Sequence, residues 1–247
     1  MSRLLIIPAA GLGTRLGSPL PKVLVPVAGV PMLDRLLDLY GDVVDRVVVV
    51  VNPAAALAVR RHLQQRADAL PTDCVEQESP TGMLDAILLG LPAVVRLAPS
   101  SIWVTWCDQV GVHRKTIERL AERTSAGSAA LVMPTVISSH PYIHLERDDT
   151  GRIVRVLHRR EGDLMPPIGE SDMGLFALSA QAFQVWLPQY AGQVETGHAT
   201  GERNFLPFIS WVNSRAEVET FPSEDPMEAI GVNTPEELER VERYLTR

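Results

Sequence analysis

Two cations stand near the start of the chain in a segment rich in glycine and proline. Arg15 and Lys22 follow an apolar run from Leu4 to Ile7, which is short enough to be a buried parallel strand. Gly11 and Gly13 allow the backbone after that strand to turn sharply and approach a ligand closely. A strand that opens into a glycine-rich loop with two cations is suited to holding a polyphosphate. The sequence therefore predicts a phosphate-binding loop.

Other interpretations of this loop explain it less well. A dinucleotide-binding fold needs a helix directly after the glycines, with its N-terminus facing the pyrophosphate. Pro19 and Pro21 prevent that helix, and the second predicted strand ends in Val51-Asn52 without a ribose-binding acid. A P-loop is excluded because its glycine and lysine spacing is absent. A plain surface turn would explain the glycines but not both cations.

An acidic residue comes at the end of another predicted buried strand. Asp108 follows the run from Ser101 to Trp106, and the carboxyl end of a strand in an open parallel sheet faces the ligand crevice. A carboxylate there could hold Mg²⁺, which prefers oxygen ligands and usually bridges to substrate phosphates. Asp108 could equally be an ordinary cap for the segment before His113. Its position alone supports both interpretations.

The segment from Gly11 to Leu33, GLGTRLGSPLPKVLVPVAGVPML, resembles the signature of the sugar-1-phosphate nucleotidyltransferases. It is most similar to the uridylyltransferase half of the N-acetylglucosamine-1-phosphate enzymes, and the glucose-1-phosphate thymidylyltransferases are similar as well. The resemblance implies that Arg15 and Lys22 are catalytic, neutralising the triphosphate and stabilising the transition state. It also implies contacts with the base and phosphates from Ala9, Ala10, Gly11, Gly13 and Thr14.

A magnesium site is also implied by the resemblance. These transferases keep an aspartate at the end of the strand that Asp108 follows. A late asparagine or aspartate supplies the second protein ligand, and Gly231-Val232-Asn233 matches that motif. Mg²⁺ held by Asp108 and Asn233 is thus the implied cofactor. Asn233 immediately precedes the predicted last helix, so it could instead only shape that turn.

The segment Gln77-Glu78-Ser79-Pro80-Thr81-Gly82 resembles the family's base-reading segment, especially the QxSPxG run of the thymidylyltransferases. Gln77 can present both an acceptor and a donor to a pyrimidine edge. Gly82 would begin a helix whose first backbone N–H groups face the ligand. The resemblance implies that Gln77, Pro80 and Gly82 bind the nucleotide.

The acceptor side departs from the family pattern. Glu170-Ser171-Asp172-Met173-Gly174 falls where relatives carry a sugar-binding E-x-N-x-G segment, so Tyr142, Glu170 and Asp172 are the implied acceptor-binding residues. Asp172 replaces the asparagine, which exchanges a two-way hydrogen-bonding group for an acceptor. Ile143 stands where glycine follows the tyrosine, and His158 stands near the sugar-binding glutamate, for which Glu161 could substitute. These departures leave a non-sugar acceptor open.

The implied reaction is NTP plus sugar 1-phosphate giving NDP-sugar plus pyrophosphate, of the uridylyltransferase or thymidylyltransferase type. One alternative is a cytidylyltransferase acting on a phosphorylated alcohol, phosphonate or sugar acid. Another, from a different class, is a noncatalytic nucleotide-sensing subunit, which would be expected to lack a metal ligand or a phosphate cation. The hexapeptide-repeat acetyltransferase half of the bifunctional relatives is not found in this sequence, so nucleotidyl transfer alone is expected.

The elements that must position these residues follow an α/β pattern. Strand-like runs alternate with amphipathic helical patterns through the first half, which predicts a mostly parallel sheet with helices on both faces. With the resemblance, this implies a Rossmann-like three-layer α/β/α nucleotidyltransferase fold in a single domain, 1–247. Its expected parts are a nucleotide-binding part (about 1–135), an acceptor-binding part with a smaller β subregion (about 136–230) and a closing helix (234–246). Among the elements we expect are a helix from Met83 to Leu91 and a strand from Asp172 to Leu178.

Bulk composition argues against several other classes. The formal net charge is −7 and no lysine- or arginine-rich tract occurs, which disfavours nucleic-acid binding. No apolar run approaches the roughly 20 residues of a membrane helix, and no leader peptide is recognisable. Cys74 and Cys107 lie in apolar, strand-like runs, which predicts reduced, buried thiols in a cytoplasmic protein. The expected partners are an NTP and a phosphorylated small molecule, and the oligomeric state stays open.

Overall fold

The computed structural model describes residues 2–66 and 70–247, in which strands and helices alternate. The strands are β1 (Arg3–Ala9), β2 (Pro26–Val27), β3 (Val30–Pro31), β4 (Arg46–Val51), β5 (Thr72–Glu76), β6 (Ser101–Thr105), β7 (Leu131–Ser139), β8 (Ile143–Arg147), β9 (Ile153–His158), β10 (Ile168–Asp172), β11 (Leu175–Ser179) and β12 (Val218–Pro222). The α-helices are α1 (Met32–Tyr40), α2 (Pro53–Gln65), α3 (Met83–Leu88), α4 (Leu91–Leu97), α5 (Arg114–Ala126), α6 (Leu187–Ala191), α7 (Phe208–Asn213) and α8 (Pro235–Leu245).

One large sheet carries the loops of the predicted site. Its strands lie in the order β10-β7-β11-β6-β1-β4-β5, and β12 pairs with β7 beside this path. The neighbours β6, β1, β4 and β5 run parallel, as do β7 and β12. The strands β10 and β11 pair antiparallel with their neighbours. The prediction of a large, mostly parallel central sheet is confirmed.

Alternate residues of the central strands face two separate hydrophobic cores. Leu5 and Ile7 of β1 pack with α1, α2, α5 and α8, whereas Leu4 and Ile6 pack with α3, α4, α6 and α7. Successive side chains of a strand point to opposite faces, so a sheet covered on both sides buries every residue of its central strands. The predicted three-layer α/β/α arrangement is therefore confirmed.

The helix predicted from Met83 to Leu91 is wrong in its extent, because two helices occupy this region. The first, α3, ends at Leu88 and α4 begins at Leu91. Pro92 lies in the first turn of α4, where it is tolerated, but it has no N–H with which to continue the hydrogen bonds of α3. Gly90, between the helices, packs so closely on Ile6 that a side chain there would collide with it.

The strand predicted from Asp172 to Leu178 is wrong in its bounds. β10 ends at Asp172 and β11 begins at Leu175, and both run along β7 with Asp172 opposite Thr135 and Ala177 opposite Val132. The five residue steps from Asp172 to Ala177 therefore lie beside three residue steps of β7, from Thr135 to Val132. The extra residues form a bulge. Gly174 takes the left-handed conformation that the bulge requires, with φ of +67°. Its carbonyl oxygen accepts from the N–H of Trp106 at 2.9 Å, which ties the bulge to the end of β6.

A smaller sheet stands beside the large one. The antiparallel hairpin of β8 and β9 is joined by a turn at Asp148–Gly151. Arg147, at the end of β8, donates two hydrogen bonds to Glu170 of β10 and one to Thr220 of β12. This arginine therefore fastens the hairpin to two strands of the large sheet.

Two further sequence expectations concern helices and thiols. In the described ranges, every helix is too short or too polar to cross a bilayer.

Both cysteines carry free thiols; Cys107 is buried, whereas Cys74 is only partly buried. The prediction of two buried thiols is therefore wrong for Cys74, which lies on the outermost strand β5, where one edge has no neighbour in the sheet order.

The last helix begins where its sequence predicts. The Thr234 hydroxyl accepts from the N–H of Glu237 at 3.3 Å, and the Glu237 carboxylate accepts in return from the N–H of Thr234 at 3.0 Å. The same carboxylate accepts from the N–H of Asn233 at 2.8 Å. This capping box, with Pro235 in the first turn, therefore also fixes the backbone of Asn233.

Replacing the capping hydroxyl should destabilise the fold measurably. We expect Thr234→Ala to lower the free energy of unfolding by about 1 kcal/mol, because one helix N–H loses its partner. Urea unfolding followed by circular dichroism measures this. Glu239→Ala, an exposed position in the same helix, should change it by less than about 0.5 kcal/mol. Equal effects of the two substitutions would contradict the capping role.

Candidate active site

The candidate site lies where the central parallel strands end. Ala9 closes β1, and Asn52, Gln77 and Asp108 follow β4, β5 and β6. Because these strands run in the same direction, the residues after them meet at one edge of the sheet. The Asn52 side chain caps α2 and also donates to the carbonyl oxygen of Ala10 at 3.2 Å. It thereby supports the glycine-rich loop, a role that the sequence did not suggest.

The glycine-rich loop folds back on Lys22. Gly13 and Gly17 flank a single 3-10 turn (Thr14–Leu16), both in the left-handed conformation. A side chain on Gly13 would begin 2.8 Å from the Cβ atom of Lys22, so only glycine allows the lysine to pack against the loop. Leu16 anchors the turn in the core, while Arg15 is left exposed. The local sequence thus presents both cations on the same side of a short, rigid turn.

Lys22 connects the two residues predicted to bind metal. Its ammonium nitrogen (Nζ) donates to Oδ2 of Asp108 at 2.6 Å and to Oδ1 of Asn233 at 2.7 Å. Arg15 donates to the same Asn233 oxygen at 3.1 Å. Four of the residues singled out in the sequence, separated by up to 218 positions, therefore form one hydrogen-bonded cluster.

The charge of Lys22 is maintained by its surroundings. Burial is the largest single influence and lowers the pKa of this ammonium, but the charge and hydrogen bond of Asp108, together with the nearby Cys107, outweigh burial, so that the net effect raises the pKa. Cys107, next to Asp108, is different, because burial raises the pKa of its thiol to about 12. At neutral pH the site therefore contains a charged lysine and a neutral thiol.

A second glycine allows Asn233 to reach the cluster. A side chain on Gly231 would begin 3.2 Å from the carboxyl carbon of Asp108. The N–H of Val232 donates to the backbone oxygen of Asp108 at 3.1 Å. The segment from Gly231 to Asn233 therefore lies directly on the end of β6. Its glycine was part of the sequence motif, but this close approach depends on the tertiary fold.

A narrow cleft of about 110 Å³ lies at the ends of β1 and β5. It contains five of the predicted nucleotide-binding residues, Ala10, Gly11, Gln77, Pro80 and Gly82. The other three lie elsewhere: Ala9 is buried in the sheet, Gly13 packs on Lys22 and Thr14 is exposed on the 3-10 turn. The remaining lining residues are Pro8, Met83, Ala86 and Glu202.

Glu202 was not singled out from the sequence. It belongs to a polar loop whose composition carries no catalytic or binding signal, and it reaches the cleft because the loop crosses the start of α3. The N–H of Arg203 donates to Thr81 at 2.8 Å and its carbonyl oxygen accepts from Leu84 at 3.1 Å. Gly82 makes room for this crossing, since a side chain there would clash with the backbone of Arg203.

The predicted acceptor-binding residues have partners of their own. Glu170 forms a two-point ion pair with Arg147 at 2.6 and 2.7 Å. Asp172 is buried and accepts from the N–H of Gly174 at 2.8 Å. Tyr142 is 46% exposed and packs edge-on against His158. In the described part of the chain, no hydrogen bond joins these three side chains to one another.

Glu161 also serves the structure. Its carboxylate accepts from the N–H of Ala199 and from the side chains of Thr200 and Asn204. These hydrogen bonds lower the pKa of Glu161, with the Thr200 hydroxyl contributing most. Glu161 therefore holds the loop that carries Glu202, instead of standing open in place of a sugar-binding glutamate.

Comparison with known proteins identifies the family. The profile described as a MobA-like NTP transferase domain matches residues 5–167, about two thirds of the chain. The chain belongs to this family. It is a nucleotidyltransferase, and the resemblance to the sugar-1-phosphate nucleotidyltransferases seen in the sequence is confirmed.

Individual relatives extend over the whole chain. It is 31% identical over 246 residues to the bifunctional protein GlmU of Pseudomonas putida (strain GB-1), and 30% identical over 246 residues to that of Azoarcus sp. (strain BH72). These alignments cover 99% and 98% of this chain but 52% of each relative, so the chain spans about half their length.

Among solved structures, HddC from Yersinia pseudotuberculosis is similar, with a TM-score of 0.68 and 19% identity. The match covers 99% of this chain and 100% of that one. At this level of identity the similarity establishes the fold, and it confirms the Rossmann-like nucleotidyltransferase architecture.

Asp172 should make the stability of this nucleotidyltransferase depend on pH. Burial raises the pKa of its carboxyl to about 6, against 3.8 for a free aspartate. Between these values the folded protein keeps a proton that the unfolded chain releases, so stability falls as the pH rises from about 4 to about 6. The difference of about 2.2 (6 minus 3.8) corresponds to at most about 3 kcal/mol.

We therefore expect Asp172→Asn, which retains an acceptor for the N–H of Gly174, to be nearly neutral at about pH 4 and stabilising by up to about 3 kcal/mol at about pH 7. Urea unfolding at the two pH values gives this comparison. Asp149→Asn, at an exposed turn position, serves as control and should show no such trend. A difference between Asp172→Asn and the natural protein that does not change with pH would contradict the assignment.

Proposed function

We propose that this nucleotidyltransferase catalyses the Mg²⁺-dependent reaction of an NTP with a sugar 1-phosphate, giving an NDP-sugar and pyrophosphate. The observation that carries the proposal is the Lys22 cluster, in which two cations meet a carboxylate and an amide oxygen. It stands at the same strand ends as the cleft lined by Ala10, Gly11 and Gln77. A cytoplasmic location, with an NTP and a phosphorylated small molecule as partners, is part of the proposal.

Asp108 and Asn233 fit a hard divalent cation. Both offer oxygen atoms, and both lie within 2.7 Å of the same ammonium nitrogen, so a positive charge already occupies the space between them. Mg²⁺ takes oxygen ligands, usually one or two from the protein, with phosphates and water completing the set. When bound there, it would neutralise phosphate charge and polarise a phosphoryl oxygen. Asp108 and Asn233 are the residues that would hold it.

The two cations would act on the triphosphate. The Lys22 ammonium holds Asp108 and Asn233 together, and incoming phosphate oxygens would offer it alternative partners. Arg15 is exposed on the glycine-rich turn, and its planar guanidinium suits two-point contact with a phosphate. Both side chains would stabilise the charge that builds up on the departing pyrophosphate.

No general base is required for the transfer. The acceptor phosphate is already an anion near neutral pH, so its oxygen can form the new bond to the α-phosphorus directly. The bond from the α-phosphorus to the oxygen bridging the α- and β-phosphates breaks, and pyrophosphate leaves with its electrons. The protein therefore has to align the two phosphates and offset their mutual repulsion. This agrees with a site whose described residues include two cations and no histidine.

The expected acceptor-binding residues bear on which acceptor the protein uses. Among the expected acceptor-binding residues, Glu170 is already paired with Arg147 and the Asp172 carboxyl is buried. Tyr142 is the exposed member of the three. These internal pairings favour the second candidate, a cytidylyltransferase acting on a phosphorylated alcohol, phosphonate or sugar acid. The resemblance favours UTP or dTTP as donor, and the alternative would use CTP.

Replacement of cluster residues should strongly reduce the catalytic rate. We expect Asp108→Asn and Lys22→Met each to reduce the rate of pyrophosphate release by about 100- to 1000-fold, the usual loss for one electrostatic contact to the transition state. The assay tests each of the common NTPs, and dTTP, against glucose, N-acetylglucosamine and mannose 1-phosphates, phosphocholine and simple phosphonates.

Lys115→Met is the matched control, because Lys115 is exposed and pairs with Glu224 away from the cluster. It should retain full activity. Turnover with a sugar 1-phosphate supports the first proposal, and turnover restricted to a non-sugar acceptor supports the second. Unchanged activity in the Asp108 and Lys22 variants would overturn the assigned roles.

A further inference from the structure

Gln77 determines part of the polarity of the nucleotide cleft. The residue is 7% exposed, and its side-chain amide nitrogen donates to the carbonyl oxygen of Gly82 at 3.1 Å and to the Thr81 hydroxyl at 3.4 Å. Because a backbone carbonyl only accepts, the amide nitrogen must face Gly82. Both amide protons are thus engaged, and the side-chain oxygen is the atom left for a ligand. Gln77 therefore presents an acceptor to the cleft, not the donor and acceptor pair expected from its residue type.

Glu202 adds a second acceptor to the same cleft. Its Cβ atom lies 3.0 Å from the position where a side chain on Gly82 would begin, so the loop carrying it touches the start of α3. Across residues 2–66 and 70–247, the Glu202 carboxylate has no hydrogen-bond or ion-pair partner. A carboxylate accepts hydrogen bonds and donates none. The cleft is therefore rich in acceptors on the side that Gln77 and Glu202 line.

The free carboxylate of Glu202 contrasts with its acidic neighbours. Asp85 in α3 pairs with Arg203 at 2.5 Å, and Glu76 at the end of β5 pairs with Arg60 at 2.8 Å. Glu161, which holds the same loop, accepts three hydrogen bonds. Among the described residues that line the cleft, Glu202 is the acidic one, and its carboxylate keeps its hydrogen-bonding capacity for a ligand.

We infer that the cleft selects a nucleobase with an exocyclic amino group (cytosine, guanine or adenine) over uracil and thymine, and that Glu202 is the residue that discriminates. This inference rests on the proposed nucleotidyl transfer. An amino group offers N–H donors to the carboxylate, as glutamate does with the amino group of cytosine in nucleic-acid recognition. Uracil and thymine have a single ring N–H between two carbonyl oxygens, so one carbonyl would face an acceptor without a donor.

Equilibrium binding of CTP, GTP, ATP, UTP and dTTP by calorimetry tests the preference separately from turnover. We expect the best amino-bearing nucleotide to bind about 10- to 100-fold more tightly than UTP or dTTP, the usual discrimination from one charged hydrogen bond. Pyrophosphate release with the same nucleotides is measured alongside. If nucleotides with an amino group bind more tightly but no pyrophosphate is released, the result contradicts the proposed reaction and not the base preference. A preference for UTP or dTTP in both binding and pyrophosphate release would overturn the base preference but not the proposed reaction. If no nucleotide binds, both the base preference and the proposed reaction are overturned.

Glu202→Gln tests the residue itself. The amide nitrogen gives the cleft a donor at almost the same size, so the preference for an amino group should fall about 10-fold or more while UTP binding is unchanged or strengthened. Retained UTP binding also reports an intact fold. Glu195→Gln, at an exposed position in the same polar loop, makes the same charge change outside the cleft and should alter nothing. An equal loss for all five nucleotides in Glu202→Gln would mean that the carboxylate contacts the ribose or phosphates, and would overturn the inference.

Discussion

A largely buried ammonium placed between two oxygen-bearing side chains is the interaction on which the rest of this structure depends. The Lys22 side chain is only 11% exposed, and a charge in that position is unfavourable unless it is paired and hydrogen-bonded. Asp108 and Asn233 supply the partners at 2.6 and 2.7 Å. Three remote pieces of the chain are therefore joined at one atom: the glycine-rich loop, the end of β6 and the segment before α8. Loss of one partner would leave a buried charge uncompensated, so these pieces support each other.

Small residues allow that convergence to occur. Gly13 lets the loop pack directly against Lys22, and Gly231 lets the last segment lie on Asp108. The capping box of α8 then holds the backbone of Asn233 through Glu237. Two glycines and one helix cap thus position a cluster whose members come from opposite ends of the chain. Hydrogen bonds within the protein hold the cluster in place, and electrostatic catalysis of phosphoryl transfer needs charged groups held in this way.

The two halves of the site differ in how many of their polar groups already form hydrogen bonds or ion pairs within the protein. On the proposed nucleotide side, Gln77 and Glu202 line the cleft, and their side-chain oxygens accept no hydrogen bond within the described residues. On the expected acceptor side, Glu170 is paired with Arg147 and Asp172 is bonded to Gly174. The loop that carries Glu202 is fastened to Glu161, next to the hairpin. The candidate nucleotide cleft therefore keeps polar groups available, while Glu170 and Asp172, implied in acceptor binding, hold the hairpin and the bulge together.

The sequence by itself determined the α/β alternation, the two-sided burial of the central strands, the glycine-rich cationic loop and the position of the last helix. These follow from local spacing, since two-residue and helical periods, prolines and capping residues act over a few positions. The tertiary structure decided those features that the local spacing of residues does not encode. Pro92 and Gly90 divided one expected helix in two, and the bulge at Gly174 arose from pairing with β7 and Trp106. The role of Glu202 depends on a loop crossing α3, and the acceptor-only state of Gln77 depends on the carbonyl of Gly82. Residue type states which hydrogen bonds a side chain can make, and only the fold decides which of them remain free for a ligand.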